Sequence, residues 1–279
     1  MLAVLTSILA GIITAIGSII SQYNTHKNQK FLEDIQRLGI KRLHFHKKDA
    51  LITELNKHPK KIVISGYRLL LTKELTNELY AEIKKGAKVE AIITPYWSYA
   101  YQMLYPNKEY TLKNYYDLLN TIFEGVRSQK GFYNPQDDQP SDELLQYLNT
   151  EYPIIFTGKA LFNDTYQFDD TFITSPYFHV TDDLDHPLHA KDFFTYEVSN
   201  PSDHLWELLH SEIEVFEKDP DRYVLNWKSF YTAYQQFKSP DQQINLDDET
   251  RQFNAMLYQP EKSSNGDQKS PAETLTSAS

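Results

Sequence analysis

Residues 61–94 read KIVISGYRLLLTKELTNELYAEIKKGAKVEAIIT, and this stretch decides the fold class. Lys61–Tyr67 is an apolar, β-branched run bounded by turn residues, which predicts a buried strand. Thr72 is placed to cap the helix that follows. Leu75, Leu79 and Ile83 form the apolar stripe of that helix. Lys84 and Lys85 suit its C-terminal dipole, and Gly86 ends it. Lys88–Thr94 is a second strand of the same character. Strand, helix and strand joined by tight links form a βαβ unit, so a parallel sheet with a right-handed crossover is expected.

Working outward, a short strand is expected around 41–46 and a short helix over 49–56. His44 and His46 then fall on one strand face, where both are expected to be exposed. Residues 96–135 are aromatic and predicted helical: Trp97, Tyr99, Tyr101, Tyr115, Tyr116 and Phe123 suit a tyrosine-rich core. A polar loop at 134–139 leads to a short helix at 141–148. Strand character returns at 152–156, 161–162, 171–174 and 193–198. Asn200-Pro201-Ser202-Asp203 opens an amphipathic helix with Leu205, Leu209, Ile213 and Phe216 inward, and an aromatic helix is expected near 223–237. Residues 239–279 are rich in Ser, Gln, Asp and Pro, which predicts a disordered tail.

The N-terminal end has a different composition. Residues 1–22 carry no charged side chain, and a run of about 20 apolar residues is long enough to cross a bilayer as a helix. Residues 26–90 hold 15 Lys and Arg against 8 Asp and Glu, whereas the whole chain carries −10. Cations directly after a span predict that the following segment stays inside. The expectation is a single-pass anchor over 1–22, a basic juxtamembrane segment over 23–48 and a cytoplasmic domain, with the lipid bilayer as a partner. Ala3, Ser7, Gly11 and Ala15 recur every four residues and suit helix self-association.

Composition excludes some chemistry. There is no cysteine, so disulfides, thiolate catalysis and cysteine-ligated metal centres are ruled out. The acidic total argues against general nucleic-acid binding. No GxGxxG, P-loop or GxSxG pattern occurs.

The best chemical lead is Thr157-Gly-Lys159-Ala-Leu-Phe-Asn-Asp164. It follows a strand and precedes Phe172-Ile-Thr-Ser175, and Phe193-Phe-Thr-Tyr-Glu197 then leads to an amphipathic helix. In this order the chain resembles the phospholipase D superfamily. The hallmark of that family is His-x-Lys-x4-Asp, a strand ending in Gly-Ser, then Asn or Glu, then a closing helix. The resemblance spans residues 40–220 and implies an α/β fold. It implies a phospholipase D-like mixed sheet flanked by helices over a domain at 49–238, preceded here by the transmembrane helix.

Residue by residue, the resemblance puts Thr157 where the nucleophilic histidine belongs and Lys159 at the phosphate-binding lysine. Asp164 falls at the motif's acid, with Ser175 and Glu197 completing the site. Ser175 comes a few residues late, and Tyr177 or Phe178 stands in place of Asn. A threonine hydroxyl is a weak nucleophile without an activating base. The resemblance therefore implies a non-catalytic binding or effector module with a residual phosphate pocket and no cofactor. Single-motif members form homodimers around one site, so a homodimer and a phosphate-containing ligand are expected.

Three alternatives stand beside it. His189-Ala-Lys191 supplies a true His-x-Lys, followed by Tyr196 where Asp is expected. A working phosphodiesterase would act on phospholipid or nucleic acid, with Lys159 and Asp164 in its site. The segment HVTDDLDHPLHAKD at 179–192 offers His179, Asp183, His186 and His189 as metal ligands for a hydrolase, because imidazole and carboxylate suit zinc, iron or manganese.

Overall fold

The computed structural model describes residues 29–30, 33, 35–104, 111–130, 139–176, 195–237 and 246–259. The chain runs β1 (Arg42–His44), α1 (Lys47–Leu55), β2 (Lys61–Gly66), α2 (Leu70–Glu74), α3 (Thr76–Lys85), β3 (Lys88–Ile93) and α4 (Tyr99–Leu104). It continues through α5 (Thr111–Lys130), α6 (Asp142–Glu151), β4 (Ile154–Phe156), β5 (Asn163–Phe168), β6 (Thr171–Pro176) and β7 (Thr195–Val198). The last elements are α7 (His204–Glu217), β8 (Tyr223–Leu225), α8 (Trp227–Phe237), α9 (Leu246–Asn254) and β9 (Leu257–Tyr258).

The strands form one mixed sheet in the order β1-β7-β6-β5-β2-β3-β4-β8-β9. The expected βαβ unit is its centre. β2 and β3 are parallel, pairing Lys61 with Lys88 through Gly66 with Ile93, and β4 extends the parallel part. Buried Ile62, Val63, Ile64, Val89, Ala91, Ile92 and Ile93 explain why this run is apolar without alternation, because helices cover both faces. The remaining pairs are antiparallel. Register sorts the faces. Asp164, Tyr166 and Phe168 share one face, where Tyr166 meets Lys47 of α1 and Thr72 of α2. On the other face Trp206 of α7 packs edge-on against Phe172.

Gly86 adopts φ 114° and caps α3, as its left-handed backbone requires. Gly125 acts differently. A Cβ there would stand 2.7 Å from Ile83 Cγ2, so the glycine is what lets α5 lie against α3. Ser141 caps α6 by accepting a hydrogen bond from the Leu144 amide at 3.2 Å.

The structure corrects several expectations. Among the described residues, no helix is long and apolar enough to cross a membrane. The expected span over 1–22, with its stripe Ala3, Ser7, Gly11 and Ala15, lies outside the described residues. The fold class is corrected to a mixed α/β domain, with no membrane-spanning helix among the described residues. The single-pass localisation, the cytoplasmic orientation and the bilayer as partner are withdrawn with it.

The expected segment borders also move. Residues 23–48 contain β1, which is a member of the sheet, and the expected disordered tail contains α9 and β9. Phe253, Met256 and Leu257 carry that tail segment into the core, and three anchors suffice because the aromatic cluster around Phe156 and Tyr115 receives Phe253. Thr72 lies inside α2 rather than capping α3, with its hydroxyl near the Tyr166 phenol at 3.3 Å. Residues 161–162 are not a strand. Residues 223–225 form β8 before the expected aromatic helix begins.

Candidate functional site

Beneath α1, a polar row crosses four strands of the sheet. Asp164 of β5 pairs in register with Ser175 of β6, and Thr195 of β7 pairs with His44 of β1. The Ser175 and Thr195 hydroxyls join the two halves at 2.8 Å. Lys47 reaches down from the first turn of α1 to one end of this row. Its Nζ donates to the Asp164 Oδ2 and to the Asp164 carbonyl, both at 2.7 Å. Lys47 is fully buried. Burial pushes its ammonium down from the usual lysine range, against the attraction and hydrogen bond of Asp164.

Glu197 lies two residues beyond Thr195 on the same face, at the outer end of the row. Its Oε1 takes Lys41 Nζ at 3.1 Å and its Oε2 takes His44 Nε2 at 3.1 Å. Burial favours the protonated form of this carboxyl. The hydrogen bonds from Lys41 and His44, with the nearby charges of Lys41 and Arg42, overcome burial and hold it below the usual carboxylate range. Here the row opens into a cleft of about 340 Å³ between α1 and the β1–β7 edge. Asp49, Thr53, Glu54 and Lys57 line its helical wall, and Lys41, Arg42, His44 and Glu197 its strand wall.

Lys159 belongs elsewhere. β4 ends at Phe156, so Thr157 and Lys159 occupy the loop after it. Thr157 is buried. Its Oγ1 accepts the Lys159 amide at 3.1 Å, and the Lys159 carbonyl accepts the Thr94 hydroxyl at 2.8 Å. The Lys159 ammonium is half exposed and pairs with buried Asp219 at 2.9 Å. The five residues of the expected site therefore divide. Asp164, Ser175 and Glu197 share one sheet face beneath α1, whereas Thr157 and Lys159 sit in a separate ion-paired turn.

His189 and Lys191, the alternative register, lie outside the described residues. So do the metal candidates His179, Asp183, His186 and His189. Among the described residues, no group of three or more His, Asp or Glu is arranged to hold a metal ion. His44 is not the exposed imidazole expected. It is part-buried against Glu197, and His46 falls outside the strand, at the N-cap position of α1. Sequence reading also missed Lys47 and Asp49. Alternation of Arg42 and His44 on a short strand was the available signal for β1.

No family model and no curated protein matches the chain. It is similar to a solved structure of TrmBL2, an archaeal chromatin protein reported with a novel mode of DNA binding. The identity is 10 %, over 76 % of this chain and 69 % of that chain, with a TM-score of 0.34. A likeness of that extent carries neither function nor architecture across.

Proposed function

We propose that the chain is a non-catalytic binding module, phospholipase D-like in the order of its elements, whose ligand site is the cleft between α1 and the β1–β7 edge. One observation carries this reading: the side chains that the resemblance assigns to catalysis are committed to internal partners, and Lys159 sits apart from Asp164, Ser175 and Glu197. Asp164 is held by Lys47, Lys159 by Asp219, and Glu197 by Lys41 and His44. Ser175 is fully buried, and its hydroxyl is hydrogen-bonded to that of Thr195. Phosphoryl transfer through a covalent intermediate needs an exposed nucleophile within reach of a base. A cleft of this size with polar walls suits a small ligand.

A second reading rests on the His44–Glu197 pair. A carboxylate that orients an imidazole at a cleft wall is an arrangement used in general acid–base chemistry. The two readings part in one assay: turnover of bis(p-nitrophenyl) phosphate by the full chain, with His44→Ala and Lys159→Ala variants. The binding-module reading expects no turnover by any of the three. Turnover lost in His44→Ala and kept in Lys159→Ala would replace it with the acid–base reading. Turnover lost in Lys159→Ala would restore the phosphodiesterase.

A further inference from the structure

We propose that the cleft between α1 and β1 binds a small zwitterion, with its oxyanion group on Arg42 and its ammonium on Asp49. The proposal rests on the reading of the domain as a binding module and names the ligand class for the same cleft. It begins from which charges are already spent. Lys41 and His44 are both committed to Glu197, and Lys57 is committed to Glu54. The Arg42 guanidinium and the Asp49 carboxylate enter no ion pair or hydrogen bond among the described residues, although the Arg42 charge also acts on Glu197 at longer range. They stand on facing walls, Arg42 on the edge strand and Asp49 in the first turn of the helix.

Each of these two groups has hydrogen-bonding capacity left and a matching chemistry. A guanidinium presents paired N–H donors to a carboxylate or a phosphate. A carboxylate at the facing wall accepts from an ammonium. Arg42 shares its sheet face with Glu197, its registered partner on β7, so both belong to the strand wall of the cleft. The other two carboxylates of the lining, Glu54 and Glu197, are buried and ion-paired.

Charge arithmetic also rejects simpler ligands. An anion alone would meet Asp49, Glu54 and Glu197, and a cation alone would meet Lys41, Arg42 and Lys57. A molecule carrying one of each avoids both conflicts. The volume, about 340 Å³, is at the small end of ligand sites, roughly 300–1,000 Å³. That admits a molecule of amino-acid size and excludes a dinucleotide or a folded peptide.

The test is isothermal titration calorimetry on the full chain. L-Serine and phosphoethanolamine are the zwitterionic probes, propionate and inorganic phosphate the anionic ones, and ethylamine the cationic one. The expected result is one-to-one binding of a zwitterion, with each singly charged probe at least ~10-fold weaker. Preference for serine assigns a carboxylate to Arg42, and preference for phosphoethanolamine assigns a phosphate. Arg42→Gln and Asp49→Asn are each expected to weaken the bound zwitterion by ~10-fold or more. Their melting temperatures should match the parent, because both side chains are exposed. Inorganic phosphate binding as tightly as the zwitterions, and unchanged in Asp49→Asn, would overturn the zwitterion while keeping the cleft as a binding site. Binding of none of the five probes, or binding indifferent to both substitutions, would overturn the proposal. The binding-module reading fails by a different measurement, namely phosphodiester turnover.

Discussion

Lys47 and Asp164 are 117 residues apart in sequence and form a buried ion pair with Nζ 2.7 Å from Oδ2, at the point where α1 crosses the end of β5. The lysine also donates to the Asp164 carbonyl and lies 5.2 Å from the centre of the Tyr166 ring. Every contact of its ammonium ties the helix to one strand.

Removing either partner leaves an uncompensated charge in the interior. Lys47→Met or Asp164→Asn is expected to cost about 3–5 kcal/mol in urea unfolding. The double substitution Lys47→Met with Asp164→Leu should cost much less than the sum, because neither charge remains. A double variant as damaged as the two singles added together would show that the pair is not an energetic unit.

Gly125 predicts an overpacking effect. Alanine has the better helix propensity by about 1 kcal/mol. Its Cβ would nevertheless stand 2.7 Å from Ile83 Cγ2. Gly125→Ala is expected to lose about 1–3 kcal/mol net. Adding Ile83→Ala should then cost less than it does in the parent chain. A stabilised Gly125→Ala would mean that α5 can move away from α3 without loss.

Glu90 predicts a pH slope. It sits on β3 facing Glu217 of α7, with Lys61 Nζ 3.1 Å from its own carboxylate and 3.8 Å from that of Glu217. Burial, then the neighbouring Glu217 charge, raises its pKa to about 7 against an ordinary 4.5. A raised carboxyl binds more protons in the folded state. This group therefore stabilises the fold below about pH 4.5 relative to above pH 7, and the effect is lost as pH rises between those values. Unfolding free energy should fall across that window by at most about 3 kcal/mol. Glu90→Gln should flatten the slope. An identical slope in that variant would assign the effect to other groups.

The turn after β4 predicts chemical silence. Thr157→His would restore the ring that the resemblance expects, yet Lys159 would remain paired with Asp219 and Asp164 with Lys47. No gain of bis(p-nitrophenyl) phosphate hydrolysis is expected in Thr157→His. A clear gain would mean that the ion pairs open readily enough to assemble a site.

The parts of the fold that were readable in sequence are those where burial and periodicity agree. β2, α3 and β3 announce themselves because both strand faces are apolar and the helix stripe keeps its period. β5 was hidden because Asp164, Thr165 and Gln167 are buried polar residues, satisfied by Lys47, Thr174 and the Asp169 carbonyl, so no apolar pattern marks the strand. α9 and β9 were hidden because polar residues outnumber their few anchors. The resemblance pointed to Glu197, which lines the cleft. Its partners did not stand out, because His44 comes from a three-residue strand paired with residues 195–197 and Lys41 directly precedes that strand. Lys47 looked like one more basic residue in a basic stretch, and nothing local distinguishes a buried lysine from its exposed neighbour Lys48.

The sheet begins and ends at its own margins. β1, the first strand, forms one edge, and β9, the last, forms the opposite edge. Eight steps at about 4.8 Å put these two strands roughly 35–40 Å apart. A direct link from β9 to β1 across the full width of the sheet would need at least about 11 extended residues. Segments leaving directly from β1 and from β9 therefore start at opposite margins of the sheet.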